Sequence, residues 1–161
     1  MRAVFFLSIS NLLPDLYFFT LLRPLFWKMA GVKINFLGKT LIRKNVWIDF
    51  PKNLEVHDEC YFNRGIILSA QEKIVIERNV RIGFNVGVHT VYHENKKDGS
   101  EDKALPITLK TGSQIYTNSI ILPGTIIGQN CDVIAGSVVN GIIEDNAVVG
   151  GNPARIIKIR D

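Results

Sequence analysis

Three histidines are the side chains of this sequence best suited to act as a general base near neutral pH: His57, His89 and His93. An unperturbed imidazole has a pKa of about 6.5, which suits that role, and three imidazoles could instead hold a zinc ion. His93 stands where an apolar stretch ending at Val88 gives way to polar residues. His89 follows Val88 directly, so strand alternation points it outward, and His57 falls at a corner facing solvent.

Composition and charge narrow the class of partner. The 161 residues include 19 basic and 15 acidic side chains, a net charge of +4, and the basic residues form no stripe. Nucleic acid is therefore a poor default partner. The two cysteines, Cys60 and Cys131, lack metal-binding or redox spacing and fall on positions of a sequence repeat. This predicts small buried side chains in a reducing cytoplasm.

A six-residue repeat organises the chain between positions 109 and 139. Leu, Ile or Val recurs at every sixth position: Leu109, Ile115, Ile121, Ile127, Val133 and Val139. A small residue follows four positions after each of the first five: Ser113, Ser119, Thr125, Cys131 and Ser137. The spacing returns upstream in two runs, 42–66 and 76–88, which are out of phase by an insertion near 69–73. Alternation with period two alone would not hold small residues at one phase of six, so a β-sandwich fits poorly.

This spacing predicts an all-β fold, a parallel β-helix. Each hexapeptide forms a short strand and a corner, three of them close a triangular coil, and coils stack about 4.8 Å apart. The aliphatic side chain fills the interior, and the small residue lets the backbone turn. One coil cannot bury its own apolar side, so stacking supplies the core. The chain is long enough for one domain with a substantial core.

Three segments depart from the repeat. Residues 1–38 form an apolar helical segment, which a proline and an aspartate interrupt below membrane-spanning length. This segment packs on the β-helix or a neighbouring subunit, or it contacts a membrane surface through residues 1–28. Within the β-helix of residues 39–150, the exposed polar loop 93–106 is where function is commonly placed. Residues 151–161 form a short basic tail.

Three motifs make the chain similar to a known family. The run Ile121-Leu122-Pro123-Gly124-Thr125-Ile126-Ile127-Gly128 is followed by Ala135-Gly136-Ser137 and Gly151-Asn152-Pro153-Ala154-Arg155. Over roughly residues 40–160 the chain resembles the hexapeptide-repeat acyltransferases, in particular the maltose/galactoside and polysaccharide O-acetyltransferase branch. The resemblance implies a left-handed β-helix, an exception to the usual right-handed crossover, and a homotrimer with active sites between subunits.

The family resemblance also implies an activity. The chain would be an acetyl-CoA-dependent O-acetyltransferase of polysaccharide biosynthesis, acting on a hydroxyl of a capsule, exopolysaccharide or O-antigen unit. Such an enzyme would be cytoplasmic, either free or peripheral on the inner membrane. No metal is expected.

The resemblance assigns residues to the acceptor site. His93, within Thr90-Val91-Tyr92-His93-Glu94, resembles the family's catalytic histidine, which would deprotonate the hydroxyl for direct attack on the thioester. Asn63 resembles an acceptor-pocket asparagine, although a turn-forming role remains open. Tyr92 and Glu94 are expected to face the acceptor as well. The partner of the second ring nitrogen of His93 is left open between Glu94 and a main-chain carbonyl.

The coenzyme site follows from the same matching. Pantetheine would lie along the coils, where small residues allow close approach, and two cations would meet the coenzyme phosphates. The residues concerned are Tyr116, Thr117, Ala135, Gly136, Asn140, Arg155 and Lys158. For the last two, solvated charges on a terminal tail are the alternative interpretation.

The chain also departs from the family pattern. Gln114-Ile115-Tyr116 replaces the usual Trp-Ile-Gly, which leaves the oxyanion donor unassigned, and Asn140-Gly141 replaces Thr-Lys, which removes a cation. The aspartate of the sugar acetyltransferases is absent beyond the Asn63 motif. The apolar N-terminal segment favours acceptors assembled at a membrane. Three other hypotheses stay open: N-acetylation of an amino sugar, a zinc protein resembling γ-type carbonic anhydrases, and a non-catalytic scaffold.

Overall fold

A computed structural model describes residues 1–96 and 99–161. Residues 97 and 98 of the predicted insertion lie outside the described part of the chain. Two helices, α1 (Arg2–Leu12) and α2 (Tyr17–Ala30), pack against each other and precede a solenoid of short strands. Helix α2 ends at Gly31, whose φ of 110° lies in the left-handed region that glycine adopts without strain. None of the described helices combines the length and apolar character needed to span a bilayer.

The described solenoid has six coils; the first five each contribute one strand to each of three sheets, and the last contributes strands to two of them. The first three coils contain β1 (Lys33–Ile34), β2 (Leu41–Ile42), β3 (Trp47–Asp49), β4 (Leu54–Val56), β5 (Tyr61–Phe62), β6 (Ile67–Ser69), β7 (Ile74–Ile76), β8 (Arg81–Ile82) and β9 (Gly87–His89). An insertion then supplies β10 (Val91–Lys96) and β11 (Gly99–Ala104). The last three coils contain β12 (Ile107–Leu109), β13 (Gln114–Ile115), β14 (Ile120–Ile121), β15 (Ile126–Ile127), β16 (Asp132–Val133), β17 (Val138–Val139), β18 (Ile142–Ile143) and β19 (Ala147–Gly151). The final strand, β20 (Ala154–Ile159), pairs antiparallel with β19.

The strands stack into three sheets. Sheet A contains β1, β4, β7, β12, β15 and β18; sheet B contains β2, β5, β8, β13, β16, β19 and β20; sheet C contains β3, β6, β9, β14 and β17. The chain passes from A to B to C in each coil, so the cross-section has three corners, which we call A–B, B–C and C–A. The left-handed parallel β-helix predicted from the sequence is confirmed.

The residues of the hexapeptide repeat lie where the pattern predicts, with one refinement. The six aliphatic side chains of the 109–139 run are only 0% or 1% exposed. The left-handed turn is made by the residue before each small one: Gly112, Asn118, Gly124, Asn130 and Gly136 have positive φ. The small residue is buried, and its hydroxyl can satisfy a corner carbonyl, as when Ser137 Oγ donates to the Ile134 carbonyl at 2.5 Å. At such a corner, the residue with positive φ makes the turn, and the small residue that follows it donates a hydrogen bond to a corner carbonyl.

The number of residues in each coil decreases along the solenoid, as the spacing between residues in register on successive coils shows. Ile42 is in register with Phe62, Ile115 with Val133, and Val133 with Val149. The extra residues of the first coils lie at the C–A corner, where residues 51–53 form a 3₁₀ turn. The insertion predicted near residues 69–73, which shifts the six-residue repeat out of phase, therefore has a counterpart at residues 51–53 in the preceding coil.

The N-terminal helices close one end of the solenoid. Trp27 is 1% exposed and packs edge to face on Phe62, with ring centroids 5.1 Å apart. Arg23 is fully buried and lies 3.7 Å from the Asp15 carboxylate. Its guanidinium donates to four backbone carbonyls, those of Ser10, Leu13, Pro14 and Ile42. Because a buried cation is stable only when paired and hydrogen-bonded, these contacts tie the turn between the helices to the first coil.

The insertion is an antiparallel ribbon, where the sequence predicted an exposed polar loop. Strands β10 and β11 pair from Val91 opposite Ala104 to Lys96 opposite Gly99. The ribbon stands on the C–A corner, where the Leu105 amide donates to the Thr90 carbonyl at 2.8 Å. The sequence of the ribbon carries no apolar alternation, and so it lacks the usual sequence signature of a strand.

Candidate active site

The β10–β11 ribbon pairs His93 with an acidic side chain. His93 lies opposite Asp102 in the ribbon, and its Nδ1 is 2.5 Å from Asp102 Oδ1. With the proton on Nδ1, the ring donates to the carboxylate and keeps a free lone pair on Nε2. Both side chains are largely exposed in the single chain, at 71% and 63%. The arrangement can therefore supply a base whose tautomer is set by a neighbouring carboxylate.

Asp102 is the site residue that sequence reasoning missed. The Glu94 carboxylate, one of the two acceptors considered for His93, instead pairs with Lys103, at 2.5 Å from Oε2 to Nζ. Tyr92 is half-buried and neighbours His93 on β10, so alternation directs it to the other face of the ribbon. Asp102 could have been identified from the register of a hairpin, which pairs it with His93, but that register is known only when the position of the turn is known.

The other two histidines lie elsewhere. His89 ends β9, and its ring covers Gly87 so closely that a Cβ at that position would come within 2.5 Å of Nε2. Burial lowers the pKa of His89, although the charge of Asp49 opposes this. His57 Nε2 contacts Glu55 Oε1 at 3.2 Å on sheet A. Within the described residues, no group of three or more His, Cys, Asp and Glu side chains could hold a metal ion.

A column of predicted site residues follows the B–C corner. Asn63 follows β5, Tyr116 and Thr117 follow β13, and Ala135 and Gly136 follow β16. The Gly136 amide donates to the Thr117 carbonyl at 2.9 Å, which stacks the lower two levels. Ala135 and Gly136 are exposed, and a Cβ at position 136 would meet no atom within 4 Å. The column thus offers small residues and open backbone to an extended ligand.

The remaining predicted residues lie at a different corner. His93 and its neighbours stand on the C–A corner, and Asn140 follows β17 at the same corner. One side of a coil holds about six residues, which at about 3.3 Å each separates the two corners by roughly 20 Å. A single chain therefore does not bring His93 to Asn63 or to the column of Thr117 and Ala135.

Solved structures of known proteins share this architecture. A hexapeptide-repeat acetyltransferase of Vibrio cholerae, VCA0836, in complex with acetyl coenzyme A, superposes with a TM-score of 0.87 at 24% identity. The alignment covers 99% of this chain and 86% of that one. A maltose O-acetyltransferase of Clostridium difficile superposes with a TM-score of 0.83 at 27% identity, over 99% of this chain and 85% of the other.

Sequence relatives decide the family. No protein-family model matches the chain. The "putative acetyltransferase YvoF" of Bacillus subtilis is 32% identical over 131 residues, which cover 81% of this chain and 69% of YvoF. The chain belongs to the hexapeptide-repeat acetyltransferases. The galactoside O-acetyltransferase of Escherichia coli is 32% identical over 127 residues, 73% of this chain. The matched region is only 62% of the length of that enzyme.

The far end of the solenoid presents the basic pair that the family resemblance predicts. Arg155 and Lys158 lie on β20, exposed at the edge of sheet B. Arg155 Nη1 donates to the carbonyl of Ala154 at 2.8 Å. Nearby Arg160 is engaged, with Nη1 2.8 Å from the Asp132 carboxylate. Arg155 lies opposite Gly150, at the end of β19 nearest the B–C column, whereas Lys158 lies opposite Val148, nearer the A–B corner.

Proposed function

We propose that this hexapeptide-repeat acetyltransferase transfers acetyl groups from acetyl-CoA to a hydroxyl of a sugar or glycan. The observation that carries the proposal is the contact between His93 Nδ1 and Asp102, because it leaves Nε2 available as a base. The names of the relatives, galactoside and maltose O-acetyltransferase, support a sugar acceptor. A capsule, exopolysaccharide or O-antigen unit is the class of acceptor we propose.

Proton transfer through His93 is the central step. Nε2 takes the proton of the acceptor hydroxyl as that oxygen forms a bond to the thioester carbonyl carbon. The C–S bond breaks as the acetyl group moves to the sugar, and the imidazolium returns its proton to the departing sulfur. Asp102 stabilises the transient imidazolium through Nδ1. Acetyl-CoA supplies the activated acetyl group.

The B–C column is the proposed groove for the coenzyme. Tyr116 and Thr117 would line its wall, and the open backbone of Ala135 and Gly136 would admit the pantetheine arm. Arg155 and Lys158 would pair with its phosphates. Asn140, which lies at the other corner, fits this groove only when it is presented by an adjacent subunit.

The separation of the two corners supports a homotrimer. His93, Tyr92 and Glu94 would be presented by one subunit, opposite Asn63 and the coenzyme column of the next. A cyclic trimer repeats this junction three times. Each active site would then be complete only between two chains.

A peripheral membrane contact is the proposed role of residues 1–28. Their exposed side chains include Val4, Phe5, Leu12, Tyr17 and Phe18, and the acidic Asp15 is turned inward against Arg23. An apolar surface with only basic exposed charges suits the cytoplasmic face of an anionic membrane. We expect the parent protein to co-sediment with anionic vesicles, and a Phe5→Ser/Phe18→Ser variant to remain in the supernatant.

Activity is tested with acetyl-CoA and a panel of acceptors that includes galactosides, maltose and amino sugars. Thiol release gives the rate, and mass spectrometry of the product gives the acetyl position. An alkali-labile ester supports O-transfer, whereas an alkali-stable amide indicates the N-acetylation alternative. His93→Ala should abolish transfer with little loss of trimer stability, and His89→Ala should keep at least partial activity. Equal and complete loss in both folded variants would contradict the assignment, and failure to bind coenzyme A in calorimetry would favour a scaffold.

A further inference from the structure

Three arginines converge on one carboxylate beside the proposed acceptor site. Arg43 places Nε and Nη2 each 3.1 Å from Asp15 Oδ2, Arg64 donates to the same oxygen, and Arg23 approaches Oδ1. Burial alone would raise the pKa of Asp15, but the hydrogen bond from Arg64 and the neighbouring arginine charges hold it below its ordinary value. Within the described residues, no second carboxylate pairs with these arginines. The cluster therefore keeps a net positive charge.

One of the three arginines is structural, and the other two have N–H groups available to bind a ligand. Arg23 is fully buried and saturated by backbone carbonyls. The side chains of Arg43 and Arg64 are 31% and 44% exposed. Among the described residues, the terminal nitrogens of Arg64 and Nη1 of Arg43 have no hydrogen-bond partner. A guanidinium with free terminal N–H groups, held by a carboxylate at its other edge, is oriented to bind a phosphate.

The two available arginines flank Asn63. The Arg43 amide donates to the Phe62 carbonyl at 2.9 Å, so Arg43 lies one coil above Asn63 at the same corner. Arg64 follows Asn63 in sequence, and its amide donates to Asn63 Oδ1 at 3.0 Å. An anion bound by the free terminal N–H groups of these two arginines would lie beside a sugar contacted by Asn63. Asp15 is followed directly by the exposed apolar start of α2, a surface that an apolar carrier would contact.

We propose that Arg43 and Arg64 bind a phosphate attached to the acceptor, so that the substrate is a glycosyl phosphate or diphosphate. This proposal rests on the proposed function and names the acceptor class of the same site. A dianionic phosphate would balance the excess charge of the cluster. Nucleoside diphosphate sugars and polyprenyl diphosphate sugars share this chemistry.

The test compares an anionic acceptor with a neutral one carrying the same sugar. We expect Arg64→Gln to lower the ratio of kcat/KM for the glycosyl phosphate to that for the methyl glycoside by about tenfold or more, because the variant loses a charge-assisted hydrogen bond to the phosphate. The double variant with Arg43→Gln should lower it further. Arg81→Gln, an exposed arginine on the next coil, is the matched control and should leave the ratio unchanged. Calorimetry with inorganic pyrophosphate should show the same order of affinities.

Several results would overturn this inference. An unchanged ratio in Arg64→Gln, or an equal fall for both acceptors with a lowered Tm, would reduce the arginines to a structural role. A parent enzyme that prefers the neutral glycoside would also contradict it. Absence of transfer to either acceptor, with pyrophosphate still bound through Arg64, would contradict the proposed function instead. Parallel assays with nucleoside and polyprenyl diphosphates of one sugar identify the carrier.

Discussion

Replacing Asp102 with Asn tests how the ribbon prepares His93 for catalysis. The amide keeps the size of the side chain but loses the charge that stabilises an imidazolium, and its NH₂ group can donate to Nδ1 and favour the wrong tautomer. A hydrogen bond to a charged group contributes about 1.5–3 kcal/mol. Because both side chains are more than half exposed, solvent screening places the loss nearer about 1–2 kcal/mol. Asp102→Asn should therefore lower kcat by about 5- to 30-fold.

The assay separates this effect from misfolding. Initial rates at saturating acetyl-CoA and acceptor give kcat, and both KM values should stay within about twofold, since Asp102 acts through His93. An exposed ion pair contributes at most about 1 kcal/mol to stability, so Tm should fall by no more than about 4 °C. Asp102→Glu should retain more of the parental kcat than Asp102→Asn does. The control variant Glu59→Gln removes a remote exposed carboxylate paired with Arg78 and should keep the parental kcat. Parental kcat in Asp102→Asn, together with an inactive His93→Ala, would refute the orienting role.

Three further predictions concern stability and coenzyme binding. Hydrogen bonds from two lysines and His57 lower the pKa of Glu55 from 4.5 to about 2. The ionised carboxylate therefore stabilises the fold above about pH 4.5, and this stabilisation is lost as the pH falls toward 2. In urea denaturation, Glu55→Gln should be less stable than the parent at pH 7, and the difference should vanish near pH 2. Trp27→Ala should cost about 3–5 kcal/mol of unfolding free energy, measured by chemical denaturation, because it empties a buried site against Phe62; a loss under about 1 kcal/mol would contradict the capping role. Arg155→Gln/Lys158→Gln should raise KM for acetyl-CoA about tenfold or more with kcat nearly unchanged, and an unchanged KM would support tail charges that serve only solubility.

The interior of the solenoid could be predicted closely from the sequence because the repeat encodes it directly. An aliphatic residue at every sixth position has one consistent explanation, and Ile121 or Val133 is buried as expected. The Gly or Asn that precedes each small residue is a second local indication of a corner, since a positive φ favours those two residue types. Such features depend on neighbours within one coil, which sequence spacing records.

The site was predicted less completely because its geometry depends on relations that spacing does not record. Asp102 meets His93 only through the register of a polar ribbon, and polar faces leave no period-two pattern. The three arginines around Asp15 come from a helix and two coils, and packing of the helical turn on the solenoid brings them together. The family resemblance supplied Asn63 and His93, but it did not reveal that they occupy different corners of one chain.

A subunit-mixing experiment tests the central claim, an active site assembled between two copies of this chain. Asn63→Ala and His93→Ala proteins, each inactive alone, are unfolded together in equal amounts, refolded and assayed. If each site takes His93 from one subunit and Asn63 from the next, random trimers should recover about one quarter of parental activity. No recovery, from hybrids that native mass spectrometry shows to have formed, would contradict a shared site.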